Sequence, residues 1–202
     1  DAGTGSVRVA LYDFRGQNRA YHIEEYATTY PRNGWAEQDD KGWWEALKKA
    51  IPGCMKKAGI GPENVAAITC DATTNTLVYL GEDDESVRKP ILWMDVRATK
   101  EAAFIDEIRK DYEATRFYKP SFRADTMVPK CMWVKKNEPE NWAKTTTIME
   151  FEDWLNWKLT GRKTVSMSIA AFRWNYDDRN GGYPLDFYRA CGLEDVVDNC
   201  LL

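Results

Sequence analysis

Histidine is almost missing from this 202-residue chain. His22 stands alone, so a histidine triad or a two-histidine metal site would have to be built around one residue in an apparent strand, and a bystander role is expected for it. Cysteine is sparse as well. Cys54, Cys70, Cys131, Cys191 and Cys200 are odd in number, widely spaced and without a C-x-x-C, which argues against a disulfide framework or a structural zinc site and for reduced, mostly buried thiols. Positive charge is in deficit: 28 Lys and Arg face 32 Asp and Glu, a formal net charge of −4 with the basic residues scattered. Nucleic acids and anionic membranes both need a local excess of cations, so neither is an expected partner. No run approaches about 18 apolar residues and no charged-then-apolar segment opens the chain. A soluble cytoplasmic protein is therefore the default expectation.

What is abundant is aromatic surface. Nine Trp, ten Tyr and seven Phe within a 44% hydrophobic composition can bury a sizeable core, so one domain, with at most a small subdomain, is expected in place of disorder. The chain opens at Asp1 without Met and ends without an obvious cap, which suggests a segment of a longer protein.

Periodicity supplies the elements. Residues 6–14 alternate Val7, Val9 and Leu11 against Arg8 and Tyr12, and residues 19–28 read as a second strand, making a hairpin around FRGQN. Asp39 or Asp40 can cap a helix over 41–58 with Trp44, Leu47, Ala50, Ile51 and Met55 facing the core, kinked at Pro52 and ended by Gly59. The apolar run 64–71 reads as a buried strand, with 75–80 as its continuation or hairpin partner, and 90–94 as another strand ending at Asp95. Helices are expected at 97–112 (Ala103, Ile105 and Ile108 inward), 126–137, 150–160 and 184–191. Together these give an α/β domain with a mixed sheet and flanking helices.

Three places could hold chemistry. The opening Asp1-Ala2-Gly3-Thr4-Gly5-Ser6-Val7-Arg8 is a glycine-hydroxyl loop running into a strand; its N–H groups and hydroxyls suit phosphate oxygens, and an Asp at its entrance can hold Mg²⁺ through water. An ordinary tight turn is the plainer alternative, for no P-loop lysine or following helix is present. The second place is Gly34-Trp35-Ala36-Glu37-Gln38-Asp39 with Trp43-Trp44, where the tryptophans either pack a loop on the sheet or wall a pocket, and Glu37 is as readily a helix cap as a reacting group. The third is a pair of strand ends, Asp71 to Thr76 and Trp93 to Arg97. Small hydroxyl side chains beside an Asp and an aromatic wall suit a polyhydroxylated ligand, although turn-forming residues look the same.

In combination these blocks resemble the N-terminal domain of the FGGY family of carbohydrate kinases. DAGTGSVR is similar to that family's D-x-G-T-x-S-x-R opening, GWAEQDDKGWW to its G-W-x-E-Q-D-P-x-x-W-W segment, ILWMDVRA to its x-L-W-x-D-x-R-A strand end, and WLNWKLTGR to its D-W-L-x-x-x-L-T-G helix terminus, in family order over nearly the whole chain. The resemblance implies an actin-like, ribonuclease H-like α/β lobe, the first of two, and ATP-dependent transfer of a phosphoryl group to a sugar hydroxyl with Mg²⁺. By position it implies a nucleotide-phosphate loop of Gly3, Thr4, Gly5, Ser6 and Arg8, with Asp1 as the metal-associated carboxylate; Gly5 stands where some members carry Thr. Substrate contacts would come from Thr73, Thr74, Trp93, Asp95 and Arg173.

The Thr73-Thr74 pair is neither the Arg-Glu of glycerol kinase-like members nor the Met-His of xylulokinase-like ones. It looks closest to the ribulokinase branch, as do the stretch Ser168–Tyr176 and the NGGYPLDFY segment, so a pentulose such as ribulose is the expected substrate. Residues 1–202 would be a partial sugar-binding domain lacking its first strand, its end and the C-terminal ATP-binding domain. The general-base Asp would lie beyond Leu202, leaving this segment inactive alone. The other readings are a xylulose, glycerol or erythritol kinase, or a non-catalytic actin-like sugar-binding module. Trp142, Trp154 and Trp157 could form a homodimer face, but inward burial is favoured.

Overall fold

The computed structural model describes residues 1–115 and 121–199, and Cys200 lies outside them. β1 (Ser6–Tyr12) and β2 (Asn18–Glu25) form the expected antiparallel hairpin. Its loop is organised by Asp13, whose carboxylate accepts the N–H groups of Arg15 and Gln17.

α1 (Asp40–Ala58) packs across the hairpin. The carboxylate of Asp39 accepts the Lys41 N–H at 3.0 Å, and Gly59, at φ 69°, ends the helix in the left-handed conformation. The buried stripe is Trp43, Ala46, Leu47, Ala50 and Cys54. Leu47 and Ala50 face inward as expected, whereas Trp44, Ile51 and Met55 border the stripe half-buried, the core direction lying a fraction of a turn from the predicted one. A Cβ on Gly53 would sit 2.5 Å from the His22 ring, so helix and strand meet where the helix carries no side chain. His22 thus serves packing, with Nε2 2.8 Å from Glu24.

The centre of the fold is a strand pair that the periodicity places only in part. β5 (Leu77–Leu80) pairs antiparallel with β6 (Thr147–Glu150), an element not anticipated, and not with 64–71. Both strands are buried on both faces. Leu77, Tyr79 and Ile148 enter one core with α2 (Thr99–Ile108), α3 (Met127–Asn137), α7 (Leu185–Ala190) and α8 (Glu194–Asn199); Val78, Leu80 and Met149 enter a second with α1 and α5 (Phe151–Thr160). Alternate side chains of one strand pair thereby anchor two helical layers. In α2 the inward residues are Ala102 and Ile105; Ala103 is exposed and Ile108 half-buried, and a 3-10 turn over Arg109–Asp111 finishes the segment expected to be helical to 112.

Two predicted strands are not formed. Around Ile91 there are single bridges to Leu77 and Glu37, and 92–95 turns away. Residues 65–70 are largely exposed and unladdered because almost nothing pairs with them: contact with the sheet comes at a parallel bridge, Ala2 to Ala72. Above that bridge a groove of about 710 Å³ separates the segment from β1, floored by Leu47, Ile51, Met55, Leu155 and Leu159. The named strands form three two-stranded antiparallel pairs, so the expected mixed sheet is reduced, among the described residues, to the single parallel bridge Ala2–Ala72. Cys54, Cys70, Cys131 and Cys191 are thiols, not disulfides, and Cys131 lies 3.9 Å from the Tyr79 hydroxyl. Trp142 and Trp154 are buried, which removes both from any dimer face. No helix among the described residues is long and apolar enough to cross a membrane.

Candidate functional site

The opening loop is held from three sides. Ala2 donates its N–H to Asp71 and accepts from Thr73, tying the loop to the 71–76 strand end. From β2's exit, the Tyr26 hydroxyl donates to the carbonyls of Gly3 (2.5 Å) and Ser6 (3.1 Å); burial pushes its pKa well up despite the nearby Arg8, so it stays a donor. The carbonyl of Thr4 accepts from Gln38 Nε2 and from Thr28 in the short β3 (Thr28–Thr29), while Gln38 in β4 (Glu37–Gln38) is itself oriented by Trp43 Nε1 at 2.9 Å. With its carbonyls so engaged, the loop leaves the N–H groups of Thr4 and Gly5 with no acceptor among the described residues. A Cβ on Gly3 would lie 2.6 Å from Arg8 Nη2, so a side chain there would displace the tip of Arg8. Arg8 in turn bonds the Asp1 carboxylate at 2.7 Å.

The opening loop meets the 73–76 turn and the segment carrying Trp93 through a chain of side-chain hydrogen bonds. Trp93, two-fifths exposed, donates Nε1–H to the Thr4 hydroxyl at 2.9 Å, and its own N–H goes to the Thr76 hydroxyl at 3.2 Å. Thr73 and Thr76 hydroxyls are 3.2 Å apart. Arg173, the last residue of α6 (Met167–Arg173), reaches across and bonds the Thr74 hydroxyl at 3.0 Å. Thr73, Thr74, Trp93 and Arg173 are therefore brought together beside Thr4.

Asp95 is not. Its side chain is fully buried, one oxygen taking the Ala36 N–H at 2.6 Å and both being engaged by Arg97 at 2.7 and 2.9 Å. The expectation that Asp95 contacts substrate is corrected on this geometry: a buried carboxylate whose two oxygens are occupied by Ala36 and Arg97 leaves no acceptor free for a ligand. Glu37 likewise is no helix cap, for it bridges Arg88 (2.7 Å) and Arg97 (2.8 Å), and Asp39 does the capping.

Local sequence pattern does not mark the residues that hold the 73–76 turn from behind. Lys130 in α3 is fully buried and donates to the carbonyls of Asn75 (2.6 Å) and Leu92 (2.8 Å); burial pushes its pKa down to about 7, against the pull of Asp95, Asp125 and Glu150. Glu150, at the end of β6, accepts the Asn75 N–H at 3.0 Å; burial pushes it up to about 7, opposed by that hydrogen bond and by Arg173. Nothing in local periodicity marks either residue. Tyr26, Thr28 and Gln38 were equally silent, although Gln38 lies in a block singled out for its tryptophans.

Glu150 gives the fold a pH dependence of defined sign. The unfolded chain ionises it near 4.5 and the folded chain near 7, so folding takes up a proton between those values and stability falls as pH rises across that window, by at most about 3 kcal/mol. Glu150→Gln is expected to flatten the decline of melting temperature between pH 5 and 7; a slope equal to the parent's would assign the dependence to other groups.

A loop with backbone N–H groups free among the described residues is tied by one hydrogen bond to an aromatic beside a hydroxyl-rich turn, an arrangement whose donors can meet anionic or hydroxylated groups. Comparison with known proteins identifies the class. Residues 1–197 match the model of the FGGY family of carbohydrate kinases, N-terminal domain. The chain is 30% identical over 171 residues to "Xylulose kinase" of Lactococcus lactis subsp. lactis, covering 85% of this chain and 34% of that protein. It is 28% identical over 213 residues to "FGGY carbohydrate kinase domain-containing protein" of Homo sapiens, covering 98% and 37%. In structure it is similar to a protein described as a "xyloylose kinase" from Brucella ovis, with a TM-score of 0.86 at 25% identity over 100% of this chain and 42% of that one. The chain belongs to the FGGY family of carbohydrate kinases and spans about a third of the length of the curated relatives it matches.

Proposed function

We propose that this chain is the sugar-binding part of an actin-like, two-lobed kinase that phosphorylates a hydroxyl of a pentulose with ATP. The observation that supports the reading most directly is the Trp93–Thr4 hydrogen bond, which joins the segment beside the hydroxyl-rich turn to the opening loop. The unpaired N–H groups of Thr4 and Gly5, with the Ser6 hydroxyl, fit the oxygens of a nucleotide's phosphate chain, and Arg8 beside Gly3 supplies positive charge. ATP supplies the transferable phosphoryl group. Asp1, about half exposed, would meet a hydrated Mg²⁺ through water while shared with Arg8; a single carboxylate plus substrate phosphates is an ordinary donor set for that ion.

On the acceptor side, Thr73 and Thr74 offer hydroxyls, Trp93 a flat apolar face and Arg173 a forked donor to a ketose. The small Thr73-Thr74 pair favours ribulose. Xylulose is the second reading, favoured by the descriptions of the Lactococcus lactis and Brucella ovis proteins. The general base and the adenine site are assigned to a second lobe outside residues 1–202, and the groove between β1 and 65–70 to a strand leading into Asp1, in register with the antiparallel Ala2–Val7 and parallel Ala2–Ala72 bridges. A small-molecule partner and no nucleic acid or membrane, and a cytoplasmic place, complete the reading.

The test is a coupled ADP assay of the intact polypeptide carrying this segment, with D-ribulose, L-ribulose, xylulose, erythritol and glycerol. The highest kcat/KM is expected with a ribulose. A xylulose optimum selects the second reading, and absence of sugar-stimulated ATP turnover across the panel overturns the kinase assignment.

A further inference from the structure

The 73–76 turn has an uncommon backbone. Asn75 sits at φ 61°, in the left-handed region that a non-glycine residue occupies seldom, and its Oδ1 is buried without a partner, so the side chain does not hold it there. The hold comes from two buried ionisable groups on separate elements. Glu150 Oε1 accepts the Asn75 N–H, and its Oε2 is buried without a partner, so the turn is where its hydrogen bonding goes among the described residues. Lys130 Nζ, from the opposite side, takes the Asn75 carbonyl together with the carbonyl of Leu92, the residue before Trp93. One ammonium thus joins the turn carrying Thr73 and Thr74 to the segment carrying Trp93.

Fully burying a lysine and a glutamate is unfavourable for their charged forms. Their arrangement does something an apolar pair cannot: it fixes both polar ends of one residue's backbone. We propose that Lys130 and Glu150 are positioning residues of the acceptor subsite, gripping the Asn75 backbone from its N–H and its carbonyl and so setting the distance between the Thr73-Thr74 hydroxyls and the Trp93 face. Neither side chain touches the ligand. The inference rests on the proposed sugar phosphorylation for its kinetic readout, and on geometry alone for its structural one.

The test uses the intact polypeptide and the variants Lys130→Met, Glu150→Leu and Glu150→Gln. Where a sugar is turned over, Lys130→Met and Glu150→Leu are expected to raise its KM at least tenfold while the KM for ATP stays within twofold, and Glu150→Gln, which keeps an oxygen acceptor for the Asn75 N–H, is expected to restore the parental value. Independently of turnover, amide hydrogen exchange over residues 72–77 is expected to speed at least tenfold in Glu150→Leu, with α1 protected as in the parent. Sugar and ATP KM values rising together, or exchange at 72–77 unchanged, overturns the proposal. Should Lys130→Met and Glu150→Leu not fold, Glu150→Asp withdraws the acceptor by one methylene, and unchanged exchange at 72–77 in it is equally fatal. A parent inactive on every sugar, with the exchange result as expected, removes the kinase reading and leaves the grip on the turn intact.

Discussion

Arg97→Met is expected to lower the melting temperature by roughly 10 °C, the equivalent of about 3–5 kcal/mol for a domain of this size. The guanidinium is fully buried and carries several loads at once. It makes a two-pronged bond to Asp95 at 2.7 and 2.9 Å, an ion pair with Glu37 at 2.8 Å, and lies 4.0 Å from the centre of the Trp35 ring and 5.0 Å from that of Trp133. Methionine preserves much of the apolar stem but leaves the Asp95 carboxylate buried with backbone N–H groups as its remaining partners, while Glu37 retains Arg88. Leaving one charge of a buried pair uncompensated is far more damaging than never having built the pair. Arg97→Lys is expected to recover little, because an ammonium can neither fork onto Asp95 nor present a flat face to the Trp35 ring. Differential scanning calorimetry of both variants is the measurement. A loss below about 1 kcal/mol in Arg97→Met would mean that water reaches the network.

Trp43 gives the second large effect, and here two substitutions separate packing from placement. The indole is almost fully buried, stacked on Phe151 with ring centres 3.8 Å apart and edge-on to Trp154 at 5.5 Å. Trp43→Ala empties that space and is expected to destabilise the domain by about 3–5 kcal/mol. Trp43→Phe keeps most of the aromatic contact but removes the Nε1–H that orients Gln38, the residue whose amide holds the Thr4 carbonyl. Its stability loss is expected to be smaller, about 1–3 kcal/mol for the stranded Gln38 oxygen. The opening loop should then loosen, and on the proposed phosphate-binding role this is read as a several-fold rise in the KM for ATP of the intact polypeptide. If Trp43→Phe melts lower yet binds ATP as the parent does, the chain of bonds from core to loop does not position the phosphate subsite.

Much of this architecture is legible from local pattern. The β1–β2 hairpin, α1 with its Asp39 cap and Gly59 stop, and the helices near 127, 151 and 185 follow from periodicity and end signals, because those depend on residues close in sequence. The errors have one origin. The 64–71 run has a strand's composition, but a strand exists only with a neighbour, and along most of that run the neighbouring place is a groove. Asp95 was given to the ligand on its type and its place at a strand end, when the tertiary fold turns it inward toward Ala36 and Arg97.

By itself, then, the order of residues determined the family, the ends of α1, α3 and α5 and the hydroxyl-rich turn, since short motifs and end signals carry those directly. Only the tertiary structure decided that loop and turn meet at Thr4 and Trp93, 89 positions apart, and that Lys130 and Glu150 stand behind the turn. Local propensity acts over a few residues, whereas burial, charge pairing and the satisfaction of backbone hydrogen bonds are settled between segments that the chain brings together only when it folds.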